Sequence, residues 1–279
     1  MIVFPTEHYQ GLNEPSNLDL DLEKFLEIRR SNDDDDDDHE FINSLKFTHR
    51  IGSDSLHAKV YAGQLHDSRI AVKALKVASK LDSEVAINLL ITEDQTNNRY
   101  FLYFIRGLLC DDGAFLIMEM AMCDVQQLLK YSTVFPLDIF LMIKEVLQSL
   151  LRLAQLGIYH GDLHLGNVFL VMRDGKRRTV IGDFGESSVT TSPTASSSDL
   201  FYFINALRQR CYQLEIITPL NNFFSALGWI ASRSETDFDA YLIKNVTEKE
   251  SAIRCNVEFI ESATAEWYRI LMLAGYEQM

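Results

Sequence analysis

The stretch Tyr159–Ser187, YHGDLHLGNVFLVMRDGKRRTVIGDFGES, decides the reading of this chain. Two short runs rich in apolar and β-branched residues, Val168–Met172 and Thr179–Ile181, flank RDGKRR, whose Asp174-Gly175 pair is a strong turn signal. A hairpin sets its two open ends side by side. Residues just before Val168 and just after Ile181 therefore fall together, and these are Asp162, Asn167 and Asp183. Two carboxylates and an amide on adjacent loops offer oxygen ligands suited to Mg²⁺. A carboxylate not engaged by metal can accept a proton from an attacking hydroxyl.

Working outward, Pro136–Leu156 reads as a long helix. Proline suits its first turn, Phe140, Ile143, Leu147, Leu150 and Ala154 recur at spacings of three and four, and Gly157 stops it. Its wide apolar face predicts a central core helix. Upstream the pattern is strand-like: Phe47–Ile51, Val60–Leu65 and Ile70–Leu75, then a helix from Leu81 to about Glu93. Two further strands are expected near Tyr100–Ile105 and Phe115–Met120, about the turn Asp111-Asp112-Gly113. The character changes near residue 122, and the last part of the chain reads helical.

Composition bounds the class. The chain has 279 residues, 47% hydrophobic and 24% charged, with 13 Gly, 5 Pro and 4 Cys. Those values fit a globular protein and exclude a collagen-like or disulfide-stapled one. The net charge is −14, and −8 without the run Asp33–Asp38, which opposes non-specific binding to nucleic acid or to an anionic membrane. No apolar stretch approaches the roughly 20 residues that span a bilayer, and the N-terminus lacks a signal-peptide pattern. Cys110, Cys123, Cys211 and Cys255 show no paired spacing, so they are expected as reduced thiols, consistent with a cytoplasmic setting. Residues 1–44 are polar and end in the acidic run; they read as a flexible, solvated extension with one short amphipathic segment at Leu18–Ile28.

HGDLHLGN followed by GDFG resembles the catalytic and metal-binding loops of the protein-kinase-like superfamily, in which an Asp is followed five residues later by an Asn and then by Asp-Phe-Gly. Three further segments match in order: IGSDSLHAKVYAG at 51–63 as a phosphate-covering hairpin, IAVKAL with Lys73, and FLIMEMA at 115–121 as the strand and hinge that hold adenine. The resemblance spans roughly residues 45–210. It implies a two-lobed α+β fold: an antiparallel-sheet N-lobe with one helix at 45–121, a larger helical C-lobe at 122–279, and ATP in the cleft between.

Carried over residue by residue, Asp162 would be the base, and Asn167 and Asp183 would bind Mg²⁺. Lys73 would meet the α- and β-phosphates, held by Glu84 or else Glu93. Gly52, Val60, Ala71, Met118 and the backbones of Glu119 and Ala121 would surround the nucleotide, with His164 at the transferred phosphate. The acceptor expected is a serine or threonine hydroxyl of a protein substrate, and the chain is expected to act as a monomer.

Departures shape the alternatives. Gly161 replaces the family's usual Arg, so reading a phosphorylated activation loop by that route is not expected. No Ala-Pro-Glu follows GDFG, Asp199 reads as the start of the next core helix, and the Ser/Thr stretch at 187–198 reads as a short flexible loop. HGDLHLGN also resembles the aminoglycoside and choline kinase branch, which phosphorylates small molecules, and the short segment favours that branch. The altered phosphate loop, with Asp54 and Ala58 near the expected glycines, leaves a nucleotide-binding pseudokinase scaffold as a third reading. His160 is expected to pack against Phe184. The alternation of His160, Asp162 and His164 suggests zinc but lacks a further ligand.

Overall fold

The computed structural model describes residues 44–51, 58–75, 79–92, 99–110, 113–190, 192–237 and 249–276. The protein is α+β, and its described residues divide into two compact units. Residues 44–92 and 102–121 form a sheet unit; residues 99–101 and those from 122 onward form a helical unit. Among the described residues, no helix is long and apolar enough to cross a membrane.

The sheet unit has five antiparallel strands in the order β1-β2-β3-β5-β4. They are β1 (Leu45–Ile51), β2 (Ala58–Leu65), β3 (Ser68–Leu75), β4 (Phe104–Cys110) and β5 (Gly113–Glu119), with α1 (Ser79–Thr92) between β3 and β4. Side chains alternate across the sheet. Tyr61, Ile70, Val72, Phe115 and Ile117 build one apolar layer with Leu45 and Leu108. Ala58, Leu75, Phe104 and Leu116 build the other, covered by Val85 of α1. A Cβ on Gly107 would lie 2.8 Å from a Val85 methyl, so glycine in β4 is what lets α1 pack this closely. On α1, Ile87 and Ile91 are buried while Leu89 and Leu90 are exposed.

The fourth strand corrects the sequence expectation. It begins at Phe104 rather than Tyr100, because Phe101 is drawn into the helical unit. There Ile181 N–H donates to Tyr100 O at 3.0 Å, and Phe101 meets Phe184 edge to face at 5.9 Å. A continuous apolar run carries no period that marks where one role ends and the next begins.

The helical unit contains β6 (Cys123–Asp124), α2 (Val125–Tyr131), α3 (Pro136–Leu156), β7 (Ile158–Tyr159), β8 (Val168–Arg173), β9 (Lys176–Ile181), β10 (Ser188–Val189), α4 (Ala195–Arg210), α5 (Ile217–Asp237) and α6 (Lys249–Leu273). Helix α3 has the bounds its sequence predicts. Ile139, Phe140, Ile143, Val146, Leu147 and Leu150 are all buried on it. Each such side chain contributes about 1.5–3 kcal/mol relative to exposure, so α3 is the core about which the unit packs. Trp267 of α6 closes on Phe140 and on Phe223 of α5, with ring centroids 5.7 and 4.8 Å apart.

Two differences from the sequence reading bear on the site. The β8–β9 hairpin is tighter than expected, with residues 173 and 176 paired across Asp174 (φ 52°) and Gly175 (φ 69°). Positive φ at both central residues is the two-residue turn that matches strand twist. Helix α4 begins at Ala195, ahead of Asp199, so much of the Ser/Thr stretch is helical or strand-paired rather than a free loop.

Candidate functional site

In the sheet unit the chemistry gathers on one face of β3. Lys73 pairs across to Val60 on β2 and Leu116 on β5, and Ala71 pairs with Met118. Cross-strand partners share a face, so Val60, Ala71 and Met118 form an apolar plate beside the Lys73 ammonium. Lys73 is 7% exposed and Glu84 of α1 is 1% exposed. Lys73 Nζ donates to both Glu84 carboxylate oxygens at 2.9 Å. Both charges are taken out of water, which is tolerable only because each has the other. Asn88 Nδ2 donates to Glu84 O at 2.8 Å, bracing the same turn of α1. Beyond Met118, Glu119 exchanges hydrogen bonds with Tyr103: its N–H donates to Tyr103 O at 2.9 Å, and its Oε1 accepts the Tyr103 N–H at 2.7 Å. Ala121 follows the strand and is half-buried. Gly52, Glu93 and Asp54 lie outside the described residues.

In the helical unit the hairpin register sets the second group. Val168 pairs with Ile181, which puts Asn167 and Asp183 at the same end. Gly182 N–H donates to Asn167 O at 3.0 Å, tying the two loops together. Asn167 is buried, and its Nδ2 donates to Asp162 O at 2.9 Å, which orients Oδ1 as the remaining side-chain oxygen. Asp183 sits at φ 62°, a left-handed conformation an Asp rarely adopts and one that concentrates at functional positions. The Asn167 amide oxygen and the Asp183 carboxylate are hard donors, so they fit a Mg²⁺ ion that takes its other ligands from phosphate and water. Among the described residues, no group of three or more His, Cys, Asp or Glu side chains is arranged to hold a metal ion.

Asp162 stays wet. Its side chain is 53% exposed and that of His164 50%, with His164 Nε2 3.6 Å from Asp162 Oδ2. That separation brings the imidazole near the carboxylate without a hydrogen bond. His164 Nδ1 accepts Gly166 N–H at 3.0 Å, which leaves the Nε2 side facing the carboxylate.

What fixes Asp162 is its backbone. His160 is fully buried, packs on Phe184 at 5.3 Å, and has Nε2 3.2 Å from Gly182 O and Nδ1 3.3 Å from Asp162 N–H. Those partners assign the proton to Nε2, and burial lowers the imidazole pKa, keeping it neutral. A neutral ring thus spans from the loop that leads to Asp183 to the backbone of Asp162. From α4, Asp199 accepts His160 N–H at 3.0 Å and Gly161 N–H at 3.1 Å. Burial pushes its carboxyl up to about 7, against those two donors.

Gly161 has φ 82°, and a Cβ there would lie 2.5 Å from Glu186 O. The glycine is required because the chain after GDFG passes against this backbone. That pass is hydrogen-bonded: Ser187 Oγ donates to His160 O at 2.9 Å, Ser188 and Val189 pair with Tyr159 and Ile158, and Thr190 N–H donates to Gly157 O at 2.9 Å.

The sequence reading singled out the side chains that would touch a nucleotide or metal and missed those that hold the backbone. His160 as a bridge, Asp199 as an acceptor and Ser187 as a tie have no motif of their own. An Asp four residues into a helix that follows a Ser/Thr run is at most a weak signal for the second. No protein-family model and no curated protein matches the chain. Cys123 and Cys211 are buried free thiols, pushed up to about 12 by burial, and so are poor nucleophiles.

Proposed function

We propose that the protein is an ATP- and Mg²⁺-dependent phosphotransferase of the protein-kinase-like type, acting on serine or threonine hydroxyls of a protein. The observation that carries the reading is the clamp from Gly182 N–H to Asn167 O beneath Asp162, Asn167 and Asp183. Together with the Asn167 Nδ2 bond to Asp162 O, it brings two carboxylates and an amide onto one pair of loops, which supports a proton acceptor and hard oxygen ligands there. The finer fold reading belongs to the same proposal: the sheet unit serves as a nucleotide lobe and the helical unit as a catalytic lobe, in a two-lobed kinase-like arrangement.

In this reading the plate of Val60, Ala71 and Met118 receives the adenine, whose polar edge meets the backbones of Glu119 and Ala121. Lys73, kept charged and aimed by Glu84, neutralises the α- and β-phosphates. Mg²⁺ held by Asn167 and Asp183 would neutralise charge on the phosphate oxygens. Asp162 accepts the acceptor's hydroxyl proton, and its exposure suits a group that must reach an incoming substrate. His164 stands where it can contact the transferred phosphate. Positioning and charge neutralisation supply most of the rate in phosphoryl transfer, so a scaffold of fixed backbone and few side chains is sufficient.

The test is incubation with Mg²⁺ and γ-labelled ATP, with and without a generic protein acceptor, beside Asp162→Ala. Label on Ser or Thr that disappears in the variant is expected. Equal labelling by the variant, or no transfer to any acceptor, overturns the proposal. A second reading, transfer to a small molecule, is favoured by one observation: only residues 184–194 separate Asp183 from helix α4, a short segment on which to dock a peptide. ATP consumption only on adding metabolite pools would select it.

A further inference from the structure

The segment after GDFG is expected from its composition to be loose, and it is not. Its far end is held by Asn256, an amide 2% exposed on α6. Asn256 Oδ1 accepts Ser196 N–H at 2.9 Å, while Nδ2 donates to Ser192 O at 2.8 Å and to Ala252 O at 2.9 Å. Ser196 N–H is one of the first four of helix α4, which have no acceptor within their own helix. A side chain from a distant helix therefore caps α4 and at the same time grips the segment before it. One turn further on, the same helix carries Asp199, which accepts the His160 and Gly161 amides. The near end is already tied by Ser187 to His160 O and by Thr190 to Gly157 O. A continuous line of hydrogen bonds thus runs from α6 through Ser192 and Ser196, along α4 to Asp199, and into the backbone that carries Asp162.

We infer that Asn256 is a positioning residue for Asp162, and that it holds residues 187–190 and 192–196 in their working conformation without phosphorylation of that segment. The inference rests on the proposed phosphotransferase reading for its meaning, while its structural arm can be measured without activity. A phosphate ordinarily orders such a segment by pairing with a basic side chain near the base. Gly161 supplies no such side chain, and there is no room for one against Glu186 O. The buried amide performs that ordering instead, with every polar group on it used.

The experiment compares wild type, Asn256→Leu and Asn256→Asp by amide hydrogen exchange and by steady-state kinetics. In Asn256→Leu, exchange should quicken about tenfold in residues 157–162 and 187–196 and stay unchanged in the β8–β9 hairpin and α3. The value of kcat should fall about tenfold or more while the KM for ATP stays within about twofold. Asn256→Asp keeps the acceptor for Ser196 N–H and loses the donors to Ser192 O and, within its own helix, to Ala252 O. It should quicken exchange around Ser192 while leaving 157–162 and 187–190 near wild type and recovering most of kcat. Phosphatase-treated wild type should retain its kcat. Exchange that rises uniformly, or only around residue 256, overturns the inference, as does a tenfold fall after phosphatase. If Asn256→Leu does not fold, the Asp variant decides by the same exchange pattern. A wild-type protein that transfers no phosphate sinks the proposed function alone, because the exchange arm still reads the coupling.

Discussion

The two units handle charge in opposite ways. In the sheet unit a lysine and a glutamate are sunk together, Lys73 at 7% and Glu84 at 1% exposure, and each holds the other by 2.9 Å hydrogen bonds. In the helical unit Asp162 remains half in water, and the protein spends its buried polar groups on the backbone beneath it. A charge that must stay in one place is fixed by a buried partner. The exposed Asp162 charge, which the proposed function has meet a substrate, is aimed instead by what its main chain touches. The second strategy needs more residues, further away, which is why Asp199 and Asn256 belong to the account.

The loop that carries Asp183 should show the difference between the units most strongly. Asp183→Ala should lower phosphate transfer by about a thousandfold or more and leave the urea midpoint nearly unchanged, since the proposed function gives it charge neutralisation rather than packing. Transfer within tenfold of wild type would remove Asp183 from the chemistry.

Lys73→Met should act on stability as well as on transfer. It strands the buried Glu84 carboxylate, and breaking one side of such a pair costs about 3–5 kcal/mol in urea unfolding. The double variant Lys73→Met with Glu84→Leu should regain most of that stability and none of the transfer. If the single variant is as stable as wild type, the sheet unit does not use the buried pair as argued.

Asp199 sharpens the other side through pH. In the folded protein its carboxyl keeps a proton up to about 7, while in the unfolded chain it is lost near 3.8. The native state binds more protons in that window, so this residue's contribution is full below pH 4 and is lost as pH rises to about 7. The stability of wild type minus that of Asp199→Asn should therefore decline by up to about 4 kcal/mol across the window. A difference that rises with pH would mean the two backbone donors outweigh burial.

Smaller effects follow at the surface of the site. Gly161→Ala should cost about 1–3 kcal/mol, because it adds a Cβ at φ 82° against Glu186 O. His164→Ala should lower transfer about tenfold and move stability by less than about 0.5 kcal/mol, as expected for a half-exposed side chain. A stability loss there larger than the loss at Gly161 would reverse the reading of which groups are structural.

Much of this was legible where local chemistry punctuates the chain. Pro136 and Gly157 bracket α3, and Asp174-Gly175 closes the hairpin whose register brings Asn167 and Asp183 together. The Lys73–Glu84 pair was readable, because the apolar residues after Glu84 fit the packing face of α1; Glu93 stood only as the alternative, on the short gap from Lys73. The start of β4 was not legible, because the run from Tyr100 to Ile105 is apolar throughout and serves both units. Helix α4 was placed late because SPTASSSD reads as loop by composition, and what makes it helical is an amide on α6, far along the chain. Asp199 and His160 act through main-chain atoms, and no residue pattern announces which backbone amide a carboxylate will take.

The proposed function requires residues of both units to act on one Mg²⁺–ATP. The most direct measurement is the ATP dissociation constant, with and without Mg²⁺, for wild type, Lys73→Met and Asp183→Ala. The account predicts that Mg²⁺ tightens wild-type binding, that Lys73→Met weakens binding in both conditions, and that Asp183→Ala abolishes the Mg²⁺ increment alone. ATP binding that is untouched by either substitution, or altered by one and indifferent to the other, would contradict it.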